Sequence, residues 1–148
     1  MLFTVFPLKG VNQIEFGMTA EIVREKMSGR LATGDIRARS KDHPTDYYQD
    51  EGAFFYYDEE GFLDAVEFAS GANVILGGVR PLELPVGQAI AAMSKLDPNM
   101  IVDDEGAFSR RLSLGIWCPS IDEGDDEPVE SFLVGKPGYY DFLDAAAS

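Results

Sequence analysis

Apolar residues recur at helical spacing in two places, and at strand-like spacing in the stretches between. Phe16 to Gly29 (FGMTAEIVREKMSG) sets Val23 and Met27 four residues apart with Ala20 and Ile22 beside them, while Arg24, Glu25 and Lys26 point away. Thr19 stands where an N-cap belongs, its hydroxyl able to accept from an orphan amide one turn in, and Gly17 before it permits a turn. Glu21 meets the positive end of the helix dipole, and Gly29 supplies a stop. The pattern predicts a helix of about two to three turns that only its apolar stripe can hold, so it must pack on something.

A second copy of this pattern follows. Val86, Ala89 and Met93 overlay Ala20, Val23 and Met27 at one constant offset, and Ile90 widens the stripe. Leu82 and Leu84 fall where Phe16 and Met18 stood, Pro85 falls where Thr19 stood and suits a first helical position, and Pro98 ends the segment.

Between the helices, Tyr47-Tyr48, Ala53 to Tyr57 and Phe62 to Phe68 are β-prone runs separated by Asp50-Glu51-Gly52 and Asp58-Glu59-Glu60-Gly61, the spacing of an antiparallel meander with tight polar turns. Asn73 to Leu76 is a further strand candidate. Leu2 to Leu8 reads as an edge strand or extended lead-in, and the polar stretch from Arg30 to Asp46 as a loop with one strand at most. After the second helix, Ile101-Val102, Phe108 to Leu112, Leu114 to Cys118 and Val129 to Val134 are the strand candidates. Val66-Glu67-Phe68 has a counterpart in Val129-Glu130-Ser131-Phe132 at a similar offset. The identical DEGAF at Asp50–Phe54 and Asp104–Phe108 needs a different one, so it is either a suggestive echo or an accident. The expected fold class is α+β: two tandem units of a short helix packed on an antiparallel sheet, residues 1–77 and 78–148, compatible with one continuous sheet.

The charge narrows the partners. Twelve basic against twenty-six acidic residues give a net charge of −14, which repels nucleic acid and anionic membrane and favours a basic partner. An acidic surface that serves only solubility is the plain alternative. The N-terminal run lacks the flanks of a signal peptide, and no apolar stretch is long enough to cross a bilayer. The single Cys118 excludes an internal disulfide and suits a reducing compartment, so the expected location is cytoplasmic.

Catalytic chemistry finds little to work with. Cys118 precedes Pro119 at the end of an apolar strand and reads as a buried thiol; His43 precedes Pro44 in a polar loop and reads as solvated. One Cys and one His do not make a zinc site, and Gly77-Gly78 lacks the Lys of a phosphate loop. Asp122 to Glu127 (DEGDDE) lacks the alternating ligands of an EF-hand. No cofactor, metal or catalytic residue is expected.

The aromatic surface says more. Ala53-Phe54-Phe55-Tyr56-Tyr57 is apolar at every position, so both faces of that strand carry side chains that need cover. Leu112, Leu114 and Ile116 share a face, which leaves Trp117 on the other. An open sheet face bearing Tyr and Trp and rimmed by acids has the composition of a protein-binding hot spot. The expected partner-binding residues are Tyr47, Tyr48, Phe55, Tyr57 and Trp117, with Asp122, Glu123, Asp125 and Asp126 as steering charge. Cover by loops or helices, or a homodimer seam, competes evenly.

The helix entry Ile14, Phe16, Gly17, Met18, Thr19 and Val23 (I-x-F-G-M-T-x-x-x-V) resembles that of the β-lactamase-inhibitor-like superfamily, a group that also includes small outer-membrane assembly lipoproteins. The resemblance implies helical segments against an antiparallel sheet, used in tandem, whose open face grips a target protein. Lys9-Gly10-Val11 and Gly135–Tyr140 are similar to segments of bacterial proteins of this tandem type, some of which look like immunity proteins of toxin systems. No signal peptide, lipid-accepting Cys near the start or disulfide pair is expected from these residues, so a secreted inhibitor and an envelope lipoprotein are the less expected members. The first expectation is therefore a non-catalytic cytoplasmic inhibitor or immunity protein that occludes a basic target such as a toxin, acting as monomer or homodimer. A self-associating scaffold module using the same face comes second, and a small-ligand binder or enzyme with a pocket between the units third.

Overall fold

The computed structural model describes residues 1–28, 30, 33–34 and 43–143. These hold the α+β fold expected: two α-helices and twelve strands in two sheets. The first helix, α1 (Ala20–Lys26), starts at Thr19, whose hydroxyl accepts from the Ile22 amide at 3.5 Å. That bond is long. The burial of Val23 and Met27, both 0 % exposed, carries more, at about 1.5–3 kcal/mol for each side chain. The second helix, α2 (Val86–Ser94), buries Val86, Ala89 and Met93, the stripe read from the sequence. Pro85 sits at its N-cap, one position earlier than the first-helical place expected for it.

The main sheet has eight strands, each antiparallel to its neighbours. Strands β4 (Thr33–Gly34), β5 (Asp46–Tyr48), β6 (Ala53–Tyr57) and β7 (Leu63–Ala69) follow α1; β9 (Ile101–Val102), β10 (Gly106–Ser109), β11 (Leu114–Trp117) and β12 (Ser131–Gly135) follow α2. Their order is β4-β5-β6-β7-β12-β11-β10-β9, so each helix is followed by a four-stranded meander and the last strands of the two meanders pair at the centre. The two helix entries make matching backbone contacts. Thr19 forms an isolated bridge with Phe62 just before β7, and Pro85 forms one with Pro128 shortly before β12, at the same offset along the chain. The Phe16-Gly17-Met18-Thr19 motif has a local cause in this pairing: the Gly17 amide donates to the Leu63 carbonyl and the Leu63 amide to the Met18 carbonyl, with Gly17 at φ +91°.

A second, smaller sheet has no counterpart in the second half among the described residues. It consists of β1 (Leu2–Phe6), β2 (Gly10–Val11), β3 (Ile14–Glu15) and β8 (Asn73–Ile75), in the order β3-β2-β1-β8. The edge strand expected at the N-terminus is instead internal. It lies between β2 and a parallel partner, β8, too far along the chain for local pattern to reveal. This sheet, α1 and α2 form one layer over a single face of the main sheet, and one apolar cluster runs through all of them. Phe3 of β1 meets Phe68 of β7 at 4.8 Å between ring centroids.

Most of the polar stretch between Arg30 and Asp46, the stop expected at Gly29 and the frayed end expected from Ala145 lie outside the described residues. His43 is half-buried rather than solvated, with its ring within 2.7 Å of where a Cβ on Gly61 would sit. Cys118 is a buried free thiol.

Candidate protein-binding face

Register decides which side chains face away from the helices. In β6, Ala53, Phe55 and Tyr57 enter the core while Phe54 and Tyr56 turn to the other face. A bulge at Tyr56/Tyr57 keeps the alternation in step with β7, where Leu63, Val66 and Phe68 go in. Tyr48 and Phe55 are 0 % exposed and Tyr57 is 1 % exposed, so these three expected binding residues belong to the core and are unavailable to a partner. The cause is visible in the sequence only as an ambiguity: a strand apolar at every position does not say which face is covered.

On the core face these tyrosines serve a different purpose. The Arg24 guanidinium of α1 grips Asp46 of β5 with two bonds of 2.8 and 2.9 Å, and the Tyr57 hydroxyl donates to the same carboxylate at 3.0 Å. This ties α1 to β5 and β6, and the hydrogen bond to Asp46 holds the Arg24 pKa above its ordinary value. Burial, then the charge of Asp46, pushes the Tyr48 phenol up to about 12, and the same causes raise Tyr57 further. In the second unit a shorter link does similar work. Asp97, after α2, accepts from the Ser109 hydroxyl of β10 at 2.6 Å and from the Asn99 amide at 2.9 Å, which lowers its pKa.

The opposite face divides in two. In the first half, Phe54, Tyr56 and Ala65 are buried in a satellite cluster with Tyr47, Ala69 and Tyr139. Tyr47 stacks on Phe54 at 4.2 Å, so of the four tyrosine and phenylalanine anchors expected there, only Tyr47 lies on this face, half-buried. Cover by another segment, weighed above as the competing outcome, describes this half: Tyr139 packs on the cluster.

The second half is open, and Trp117 stands in it. Leu114 and Ile116 enter the core as the alternation requires, which leaves Trp117 on the far face, 47 % exposed. Its ladder partners are Gly106 on one side and Ser131 on the other, and Gly115 precedes it on the same face. Three small residues therefore flank the indole on the sheet. The result is a groove of about 430 Å³ with backbone at Gly106 and Gly115 in its lining, walled by Trp117, Phe108 and Tyr140. The glycines are required here. A Cβ on Gly106, at φ +151°, would collide with the Ile116 carbonyl, and one on Gly115 would collide with the Tyr140 hydroxyl. Tyr140 stacks on Phe108 at 4.8 Å and Tyr139 packs against Gly135, so the chain after β12 folds back across the sheet.

Three carboxylates join the groove: Asp103 and Glu105 from the turn between β9 and β10, and Glu67 from β7. Glu67 is oriented by the Tyr56 hydroxyl at 2.6 Å and the Ser131 hydroxyl at 3.1 Å. No Lys, Arg or His lines the groove among the described residues. The groove belongs to the second unit except for Glu67.

The acids expected to rim this face lie elsewhere. Asp122 and Glu123 form a 3-10 turn, and Asp125 and Asp126 follow it, all exposed. The loop turns toward the helix side, where the Asp125 and Glu127 carbonyls accept from the Gly87 and Val86 amides at the start of α2. Those bonds satisfy orphan amides of the helix, a structural task that composition alone does not reveal. Sequence reasoning missed Phe108, Tyr140, Glu67, Asp103 and Glu105. The repeated DEGAF was the available signal. It occurs at the entries to β6 and β10, which hold different places in their meanders, yet both times it puts Ala in the core and Phe on the far face.

No group of three or more His, Cys, Asp or Glu is placed to hold a metal ion among the described residues. No helix among them is long and apolar enough to cross a membrane. Comparison of the chain with protein-family models, with curated proteins and with solved structures finds no match.

Proposed function

We propose that this chain is a non-catalytic cytoplasmic inhibitor of the immunity-protein kind, which occludes a basic protein target such as a toxin with the open face of its second unit. One observation carries the reading: the sole tryptophan is nearly half exposed over a glycine-lined groove whose charged lining residues, among those described, are all acidic. An exposed Trp next to backbone offers a partner a large apolar contact area, and such residues dominate the energetics of protein interfaces. The net charge of −14 adds long-range attraction for a basic partner and speeds encounter. Self-association through the same groove is disfavoured by that charge, because two copies face to face would oppose like carboxylates.

The test is paired capture from the native host with the wild-type chain and its Trp117→Ala variant, followed by binding measurements with the purified partner. The expected result is one basic protein held at equal stoichiometry by the wild type and at least about thirtyfold more weakly by the variant, the loss typical of a central aromatic anchor of 2 kcal/mol or more. Equal retention by both chains, or retention of nothing but the chain itself, overturns the reading.

A further inference from the structure

The groove also carries information about what enters it. Trp117, Phe108 and Tyr140 line it, with Tyr140 stacked on Phe108 and its hydroxyl over Gly115; Gly106 adds backbone to the lining; Asp103 and Glu105 bring carboxylates to it. An aliphatic or aromatic side chain would suit the walls but leave its tip among carboxylates. An anion would meet like charge at every charged position. A lysine ammonium would answer the charge as a strongly hydrated point, with less to gain from stacking on an aromatic ring.

A guanidinium suits all three features. It is planar, stacks on aromatic faces, sheds water more readily than an ammonium, and offers a fork of donors to carboxylates. We infer that the groove lined by Trp117, Phe108 and Tyr140 is an arginine-capture site: it takes the guanidinium of an arginine on a basic protein segment, stacks it on the indole, and pairs its edge with the carboxylates of Glu105 and Asp103. This rests on the protein-binding reading above and deepens it by naming the group recognised. It also separates steering from recognition. The exposed acids of the 122–126 loop act at a distance on any cation, whereas the groove discriminates among cations of equal charge.

The sole tryptophan makes the site its own reporter, since emission excited in the tryptophan band arises from Trp117 alone. The full-length chain is titrated with hexa-arginine, hexa-lysine and hexa-citrulline at physiological ionic strength, where screening reduces bulk attraction. Hexa-arginine is expected to change Trp117 emission saturably, at a half-saturating concentration at least about threefold below that of hexa-lysine, the scale of one exposed cation–π contact. Hexa-citrulline, similar in shape but neutral, is expected to leave the emission unchanged. In the Asp103→Asn/Glu105→Gln double variant, made at two exposed positions and checked for an unchanged melting temperature, the preference for arginine over lysine is expected to fall.

Equal responses to arginine and lysine peptides, a response to the citrulline peptide, or no saturable response overturns the assignment. Its failure is distinguishable from failure of the broader reading. A chain that holds its protein partner through Trp117 yet ignores hexa-arginine overturns only the arginine site. A Trp117→Ala variant that keeps the partner overturns the reading beneath it.

Discussion

Phe68 lies directly opposite Phe132 where β7 pairs with β12, and both rings are fully buried. This pair is the seam of the molecule: the last strands of the two meanders meet there, and Phe3 of the smaller sheet closes over Phe68. The two units thus share one sheet and one core. Phe132→Ala is expected to cost about 3–5 kcal/mol, as large-to-small changes at buried aromatic positions do. Unfolding by denaturant is expected to follow one transition whether read by Trp117 emission, which reports the second unit, or by far-ultraviolet circular dichroism of the whole chain. Separated midpoints would show that the seam does not couple the units.

Tyr48 and Tyr57 are both buried but differ in what their hydroxyls meet. Tyr57 donates to Asp46, whereas the Tyr48 hydroxyl is buried with no hydrogen-bond partner among the described residues. Tyr57→Phe is therefore expected to lose about 1.5–3 kcal/mol, the range for a hydrogen bond to a charged group. Tyr48→Phe is expected to be neutral or to gain up to about 1 kcal/mol, because it removes a desolvated polar group. Chemical denaturation of the two variants gives the comparison directly.

Those phenols also set an alkaline limit. Both have folded-state pKa values raised by burial, Tyr48 to about 12, so the folded state favours their neutral forms. The resulting stability is present in full below about pH 10, the unfolded value, and falls as pH rises toward and through the folded value. Spectrophotometric titration is expected to show at least two of the six tyrosines ionising late or only with unfolding.

Asp97 sets a corresponding acid limit. The Ser109 hydroxyl, then the Asn99 amide, lowers its pKa in the folded state, so the unfolded chain takes up the proton more readily. Its contribution is present above about pH 4, the unfolded value, and is lost as pH falls through the folded value. Ser109→Ala, by removing the largest cause, is expected to move the acid-unfolding midpoint upward; an unchanged midpoint would show that the bond contributes nothing to acid stability.

Much of this architecture was legible in the sequence because its signals are local. Thr19, Val23 and Met27 announce a capped amphipathic helix within nine residues, and Pro85, Val86, Ala89 and Met93 repeat it. The acidic Gly-containing turns mark the hairpins of the first meander. Trp117 was placed by simple alternation against Leu114 and Ile116. What escaped depends on contacts distant in sequence. The parallel partner of β1 comes from the far end of the first unit, and nothing in Leu2–Phe6 identifies it. Phe55 and Tyr57 were assigned to the wrong face because Phe54 and Tyr56 are equally apolar, and only the packing of α1 and the small sheet breaks the tie. The groove depends on Gly106, Gly115 and Ser131 surrounding Trp117, a fact of register across three strands. The acids of the 122–126 loop looked like a rim by composition, but their backbone is committed to the start of α2.

Trp117→Ala measured for stability and binding together is the most direct test of the binding face. Because the ring is exposed and flanked by small residues, its loss is expected to change unfolding free energy by less than about 1 kcal/mol, as substitutions away from the core do. Binding to the purified basic partner is expected to weaken at least about thirtyfold in the same preparation. A variant that loses stability and keeps its affinity would contradict the assignment, and would place Trp117 among the residues that hold the fold.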